Sequence, residues 1–314
     1  MILSMKYANF LITLFCTSFV LGQIPSGYYN TAEGYVGTVL KTKLNAIIKD
    51  HIEFPYTSNT TDVWDILKET DKDPNNADNV ILLYTGWSTN GAEEYNGGNG
   101  WNREHVWAKS HGNFGNIEGP GTDVHALRPC DVSVNSARNN RWFAECSTAY
   151  IDGDGPTGCY TSSTDWVWKP NENVKGDVAR MIFYMATRYE GEGIEPNLQV
   201  IDYLPSNNNT SAPIHAKLSD LLLWHMQDPV DDWERNRNDI IYYDYQNNRN
   251  PFIDHPEFAQ MIWGDLSGAG SINEAPKELL KIIDYTGKTT KTVFNTPLIY
   301  IYSDGSSEKK YFSE

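Results

Sequence analysis

A histidine beside a carboxylate, with an asparagine later in the chain, is the group of residues best suited to chemistry. Glu104 directly precedes His105, and Asn135 lies six positions after Pro129. An imidazole titrates near neutral pH, so His105 can act as a general base that takes a proton from water. Carboxylate and carboxamide oxygens are ligands that hard divalent cations prefer. These side chains are the parts needed to hydrolyse a phosphodiester with one divalent cation.

Two strands and a helix must position these groups. The residue pattern predicts a strand over residues 104–107, a second strand over residues 124–127 and a helix from about Ser133. Successive residues of a strand point to opposite faces of the sheet. Glu104 and His105 can therefore reach one site only at a bulge or at the end of a strand.

The predicted metal ligands are Glu104 and Asn135, which would hold one Mg²⁺ or Ca²⁺ ion. Two protein ligands leave coordination positions for water and for the scissile phosphate. Asn139 and Asn140 are rival ligands, about one helical turn further along the chain. Asn135 could instead cap the N-terminus of the predicted helix.

Arginines near the predicted site could bind phosphate oxygens, because a guanidinium matches their geometry. Arg128 and Arg138 are the predicted catalytic arginines, and each could equally form a surface ion pair. A rival zinc site would use four other candidate ligands, namely His105, His111, His125 and Cys130. Their spacing matches no common zinc motif, and the HExxH pattern is absent. We therefore favour the site with a single hard cation.

The stretch over residues 101–143 resembles the endonuclease I family of secreted, sequence-nonspecific bacterial nucleases. The resemblance is carried by Arg-Glu-His at 103–105, Val-His-Ala-Leu-Arg-Pro at 124–129 and Val-Asn-Ser-Ala-Arg-Asn-Asn at 134–140. A weaker resemblance extends over about residues 28–263. It implies an α+β fold with a ββα-metal core, or His-Me finger, inside a mixed helical domain. It also implies in-line attack of water on DNA, leaving 5′-phosphate and 3′-hydroxyl ends, with RNA open as a further substrate.

Four segments are predicted along the chain. Residues 1–22 have a basic start, an apolar run and a small last residue, as expected of a secretory signal peptide. The alternatives are an uncleaved membrane anchor and a lipoprotein attached through Cys16. Residues 23–263 would form the nuclease domain, and residues 264–275 a Gly- and Ser-rich linker.

The last segment, residues 276–314, alternates polar and apolar residues and predicts a small β-rich tail. It resembles part of the sorting domains that Bacteroidetes-type secretion systems recognise, which would make such a system a partner. The alternative is a β-extension packed on the nuclease. We expect a monomer at the cell exterior or surface rather than in the periplasm, with no membrane insertion after signal removal.

The net charge of −16 bears on how nucleic acid is bound. Tight, salt-sensitive binding needs many Lys and Arg side chains that displace counterions from phosphates. Over residues 101–145, however, five basic and five acidic residues balance, so the candidate site is neutral before a cation is added. The alternative class of function is a secreted binding or adhesion protein without catalysis, which would use the many aromatic side chains.

Three cysteines remain once the signal peptide is removed. An oxidising compartment favours one disulfide and one free thiol. Cys146 and Cys159 flank a turn-rich loop that a disulfide could close, stabilising the fold by about 3 kcal/mol. Cys130 would then be the free thiol.

Overall fold

A computed structural model describes residues 24–264, 279–284, 286–293, 295–302 and 307–311. The predicted signal peptide and nearly all of the predicted linker lie outside these residues. Within the described part, no helix is long and apolar enough to cross a membrane.

Helices and short strands alternate irregularly along the described chain, which confirms a mixed α and β fold. The helices are α1 (Gly37–Ile48), α2 (Val63–Thr70), α3 (Val132–Arg138), α4 (Lys175–Arg188), α5 (Leu218–Gln227), α6 (Asp232–Ile240), α7 (Pro251–Asp254) and α8 (Glu257–Trp263). Two 3₁₀ helices and one π-helix lie at Asn30–Ala32, Asn96–Gly98 and Ile241–Gln246.

The strands are short and mostly antiparallel. They are β1 (Lys72–Asp73), β2 (Asn76–Ile81), β3 (Ser88–Asn90), β4 (Trp101–His105), β5 (Leu127–Asp131), β6 (Trp142–Phe143), β7 (Thr148–Asp152), β8 (Gly155–Ser162), β9 (Val167–Lys169), β10 (Gln199–Ile201), β11 (Ile214–Ala216), β12 (Leu279–Ile283), β13 (Thr289–Thr290), β14 (Leu298–Tyr302) and β15 (Ser307–Lys310). They form separate small sheets, ordered β1-β2-β3, β4-β5, β6-β9-β8-β7, β10-β11 and β13-β12-β14-β15.

Helix α4 is the centre of the larger hydrophobic core. Every residue of α4 is buried, and the helix packs against α1, α5 and α7. Its apolar residues recur at helical spacing, as Val178, Ile182 and Met185 illustrate. Its charged residues are buried as well, and Arg180 is paired with Glu234. The core therefore contains compensated charge as well as apolar side chains.

A second core cluster supports the β4–β5 hairpin. Helix α2 buries Val63, Ile66 and Leu67 on one face, and these side chains cluster with Trp101 of β4 and Leu127 of β5. The carboxylate of its N-cap residue accepts hydrogen bonds from two backbone N–H groups of the first turn. The hairpin is thereby held against a well-capped helix.

Strand β5 runs directly into helix α3. Strands β4 and β5 pair without a bulge from Trp101 opposite Asp131 to His105 opposite Leu127. The carboxylate of Asp131 accepts hydrogen bonds from the backbone N–H groups of Ser133 (2.8 Å) and Val134 (3.2 Å) and so caps α3. Asp131 therefore occupies the N-cap position of α3, and Asn135 does not cap this helix.

The predicted disulfide is wrong for this structure. The three cysteines in the described residues, Cys130, Cys146 and Cys159, are all free thiols. The supposed loop is a β-hairpin of β7 and β8, and its thiols belong to different hydrophobic clusters. Cys159 is buried and donates to the carbonyl oxygen of Tyr84 (3.5 Å), whereas Cys146 packs near Trp142.

The tail forms a four-stranded antiparallel sheet with its own small cluster, which includes Leu298 and Tyr300. Val36 at the start of α1 packs against this cluster. The ammonium of Lys291 lies 2.8 Å from a carboxylate oxygen of Glu33. The described part of the tail therefore contacts the helical domain at Val36 and Glu33.

Candidate active site

A cavity of about 610 Å³ lies beside the end of β4. Four of the five predicted site residues line it, namely Glu104, His105, Asn135 and Arg138. The fifth, Arg128, is not part of the lining. The hairpin and α3 thus bring most of the predicted chemistry to one place.

The end of β4 explains how two consecutive residues reach one cavity. The strand ends at His105, as the alternation of strand side chains requires. Arg138 holds the chain at this point, because its guanidinium donates hydrogen bonds to the carbonyl oxygens of His105 (3.0 Å) and Val106 (2.7 Å). Arg138 is therefore buried against the backbone at the end of β4.

Glu104 is a buried carboxylate that is only partly compensated. The hydroxyl of Tyr84 donates to its Oε1 atom (2.6 Å), and Nη1 of Arg138 lies 3.2 Å from the same oxygen. Burial raises the pKa of Glu104, although the charge of Arg138 and the hydrogen bond from Tyr84 oppose the shift. Among the described residues, none donates a hydrogen bond to Oε2, so this oxygen remains available to a ligand.

His105 is held in one tautomer. Its Nε2 atom lies 2.9 Å from the carbonyl oxygen of Gly121. Because a carbonyl only accepts, Nε2 carries the proton and Nδ1 keeps its lone pair. Burial lowers the pKa of His105 to about 3, although the Gly121 carbonyl opposes the shift. The imidazole is thus neutral near pH 7, as a general base must be.

Asn135 keeps a free acceptor, unlike its two rivals. Its Nδ2 donates to Oδ1 of Asn102 (2.8 Å), and no described residue donates to its Oδ1. In contrast, Oδ1 of Asn139 accepts from the backbone N–H of Asn140 (2.7 Å). Oδ1 of Asn140 accepts from the indole N–H of Trp166 (2.8 Å). These contacts favour Asn135 as the ligand.

Arg128 is not brought to the cavity. Its buried guanidinium is hydrogen-bonded to Asp71, and its Nη1 atom lies 3.4 Å from Asp177. Arg237 binds the second oxygen of Asp71 at 3.2 Å. Arg128 therefore belongs to a compensated ion-pair network, and its position does not fit the predicted contact with a phosphate in the cavity.

Sequence reasoning missed the aromatic side chains that line another side of the cavity, next to Arg103. The guanidinium of Arg103 lies between the rings of Tyr56 (3.4 Å) and Trp64 (4.0 Å). Lys109 also lines the cavity, and burial together with the charge of Arg103 lowers its pKa. The aromatic partners are some forty residues away from Arg103 in the chain, so no local pattern indicates these contacts.

The rival zinc site is not assembled. Nε2 of His111 lies 2.8 Å from the carbonyl oxygen of Asn140, and Nε2 of His125 lies 3.1 Å from that of Asn248. Nowhere in the described part do three His, Cys, Asp or Glu side chains come together to hold a metal ion.

Comparison with known proteins agrees with the geometry. The chain matches the endonuclease I family over residues 36–257, a range that contains the hairpin, α3 and the cavity. Similar proteins include two named extracellular ribonuclease, from Bacillus subtilis (strain 168) and Bacillus amyloliquefaciens, with 55% and 54% identity over 238 residues. Each match covers 75% of this chain and 78% of the relative. The chain therefore belongs to the endonuclease I family and is a nuclease that hydrolyses phosphodiester bonds.

Proposed function

We propose that the chain is a secreted, divalent-metal-dependent endonuclease without sequence specificity, built on a ββα-metal core. The observation that carries this proposal is the shared cavity of Glu104, His105 and Asn135 at the junction of β4, β5 and α3. This family membership also argues against the alternative of a non-catalytic binding protein.

The residues present fit one hard cation. Oε2 of Glu104 and Oδ1 of Asn135 are oxygen acceptors without a donor among the described residues, and both side chains line one cavity. Burial makes the charged form of Glu104 costly, and a cation would offset that cost. Oxygen ligands of this kind suit Mg²⁺ or Ca²⁺. A bound cation would stabilise charge on the phosphate and on the departing 3′ oxygen.

His105 would take the proton of the attacking water at Nδ1. The Gly121 carbonyl orients the ring by holding the Nε2–H group, and the low pKa keeps Nδ1 unprotonated. Arg138 would keep the end of β4 in place through its bonds to backbone carbonyl groups. Attack by water in line with the 3′ oxygen leaves a 5′-phosphate and a 3′-hydroxyl.

We propose both DNA and RNA as substrates. A water nucleophile does not need the 2′-hydroxyl of RNA, so the same groups can act on either polymer. The relatives named extracellular ribonuclease support RNA as a substrate and support secretion. Residues 1–22 would be the signal that directs export. The tail would serve export or sorting rather than catalysis, since the family match ends at residue 257.

The proposal is tested by digesting DNA and RNA strands of the same sequence with and without excess chelator. We expect both strands to be cut to products with 5′-phosphate and 3′-hydroxyl ends. Chelator should abolish cleavage, and added Mg²⁺ should restore it. Resistance of DNA, with 2′,3′-cyclic phosphates from RNA, would show that the 2′-hydroxyl is the nucleophile. Cleavage that persists in excess chelator would contradict the metal requirement.

A further inference from the structure

Tyr95 is an exposed aromatic side chain at the rim of the cavity. It lines the cavity together with Glu104 and His105, yet 58% of its surface is exposed. Tyr56 and Trp64 also line the cavity, but they are partly buried and the Arg103 guanidinium lies over both rings. Of the aromatic rings described in the lining, Tyr95 is thus the one that is mainly exposed to solvent.

The backbone at Tyr95 is held in an unfavourable conformation. Its φ of 56° and ψ of −44° are rare for a residue with a bulky side chain. Glycine adopts positive φ without this cost, and Gly97 and Gly98 do so two and three positions later. A tyrosine nevertheless occupies this position, which indicates that its side chain is used.

Hydrogen bonds fix this conformation next to β4. The backbone N–H of Tyr95 donates to the carbonyl oxygen of Trp101 (2.7 Å). The carbonyl oxygen of Tyr95 accepts from the backbone N–H groups of Gly98 (2.7 Å) and Gly100 (3.3 Å). A Cβ atom added at Gly100 would lie 1.9 Å from the carbonyl oxygen of Glu93, so the turn packs tightly against the start of the strand. The turn that carries the ring is therefore hydrogen-bonded to the start of β4, the strand that ends with Glu104 and His105.

We propose that Tyr95 is a stacking platform for an unpaired base next to the scissile phosphate. This inference rests on the proposed nuclease function and adds the class of strand that the site prefers. Stacking tolerates any base, because every base has a π-face, which suits cleavage without sequence specificity. A base inside a duplex is already stacked on both sides, so the platform favours single strands.

The charge of the protein supports the same inference. With a net charge of −16, the chain as a whole repels phosphates, and Arg103 and Lys109 are the cationic groups on the wall nearest to Tyr56. Affinity for a strand that does not come from many phosphate contacts must come from other groups. An exposed aromatic ring contributes affinity for the strand by stacking on a base, without added positive charge.

The test uses a single-stranded oligonucleotide with one stable abasic nucleotide, compared with the intact strand in Mg²⁺. Cleavage at the bonds beside the abasic position is measured on a denaturing gel. For the wild-type protein we expect a loss of about 5- to 100-fold at one of these bonds, since stacking contributes on this scale. Tyr95→Phe should keep this discrimination. Tyr95→Gly should cut both strands at the same reduced rate.

The glycine variant separates stacking from folding. Relief of the positive φ should leave the thermal midpoint of Tyr95→Gly at or above that of the wild type. Tyr203→Ala removes an equally exposed tyrosine outside the cavity lining and should leave the discrimination unchanged. Discrimination that survives in Tyr95→Gly, or a wild type that cuts both strands equally, overturns the platform. Absence of any cleavage by the wild type would instead overturn the proposed function.

Discussion

Two groups of buried charge share the β4–β5 hairpin, and they differ in how fully their charges are compensated. On β5, Arg128 is bound by Asp71 and Asp177, and Arg237 binds Asp71 as well. On β4, directly opposite Arg128, Glu104 has one oxygen bound and the other without a donor among the described residues. The first group holds the fold in one arrangement, whereas the second retains capacity for a ligand.

This difference explains why burial and charge alone do not identify a catalytic residue. Arg128 and Glu104 are both almost fully buried and both lie in the segment that resembles the nuclease family. Only the contacts distinguish them, because every charge near Arg128 has a partner of opposite sign. A buried pair that is complete contributes to structure, and removing one partner leaves an uncompensated charge.

The largest effect is expected from His105→Ala. Loss of the proposed general base should lower the cleavage rate by about 10²- to 10⁴-fold, without unfolding the protein. The rate on plasmid DNA and the circular dichroism spectrum measure the two properties separately. His125→Ala is the matched control, since His125 is a buried histidine that does not line the cavity. A folded His105→Ala protein with the wild-type rate would place the base elsewhere.

Arg128→Met should lower the stability of the fold, because Arg128 belongs to the fully compensated group of buried charges. Removing one partner of a buried ion pair typically costs about 3–5 kcal/mol in the free energy of unfolding. Denaturant unfolding measures this cost, and the folded fraction should still cleave nucleic acid. Arg235→Met is the control, because its pair with Asp232 is exposed and worth at most about 1 kcal/mol. Equal losses in the two variants would contradict a structural role for the Arg128 network.

Tyr84→Phe tests the partly compensated group around Glu104. The variant removes the hydroxyl that donates to Glu104, the proposed metal ligand, and loss of such a partner typically weakens metal affinity by about 10- to 100-fold. The Mg²⁺ concentration at half-maximal rate should rise accordingly, and saturating Mg²⁺ should recover much of the rate. Tyr184→Phe removes an equivalent hydroxyl from Asp123 and should leave the Mg²⁺ requirement unchanged. The same shift in both variants would point to a general loosening of the core.

The smallest effect is expected from removing the tail. A chain that ends at Gly264 keeps the cavity and loses a sheet with its own apolar cluster. Its cleavage rate should therefore stay close to that of the full chain. The same truncation should change export in the native cell if the sorting resemblance holds. An insoluble or inactive truncated protein would show that the tail is part of the nuclease fold.

Local patterns predicted two helices, but they placed the start of β4 three residues too late and the start of β5 three residues too early. Apolar residues recur at helical spacing over residues 175–189, a local pattern that predicts α4, and the helix expected from about Ser133 is α3. The local pattern also predicts a helix over residues 213–227, yet α5 begins only at Leu218, because residues 214–216 pair with β10. A strand pairing of this kind depends on a segment far away in the chain and overrides local propensity.

The candidate site also combines residues that local sequence predicts with contacts that distant segments make. Glu104, His105 and Asn135 follow from residue type and spacing, and the structure brings them to one cavity. The placement of Arg128 in an ion-pair network outside the cavity could not be predicted, because its partner Asp71 lies 57 positions away. The same holds for Tyr84, whose hydroxyl reaches Glu104 from a separate segment. Contacts of this range are set by packing and leave no periodic signal.

The direct junction of β5 and α3 restricts how the length of this protein can vary. Asp131 is both the last residue of the strand and the cap of the helix, so no loop can absorb an insertion there. One residue added after Asp131 would turn Asn135 by about 100° around the helix axis, away from Glu104. The long connection from β4 to β5, in contrast, has an exposed stretch at residues 115–118, which can gain or lose residues if the position of the Gly121 carbonyl is preserved. Viable length variants of this enzyme should therefore differ in that connection and keep the junction at constant length.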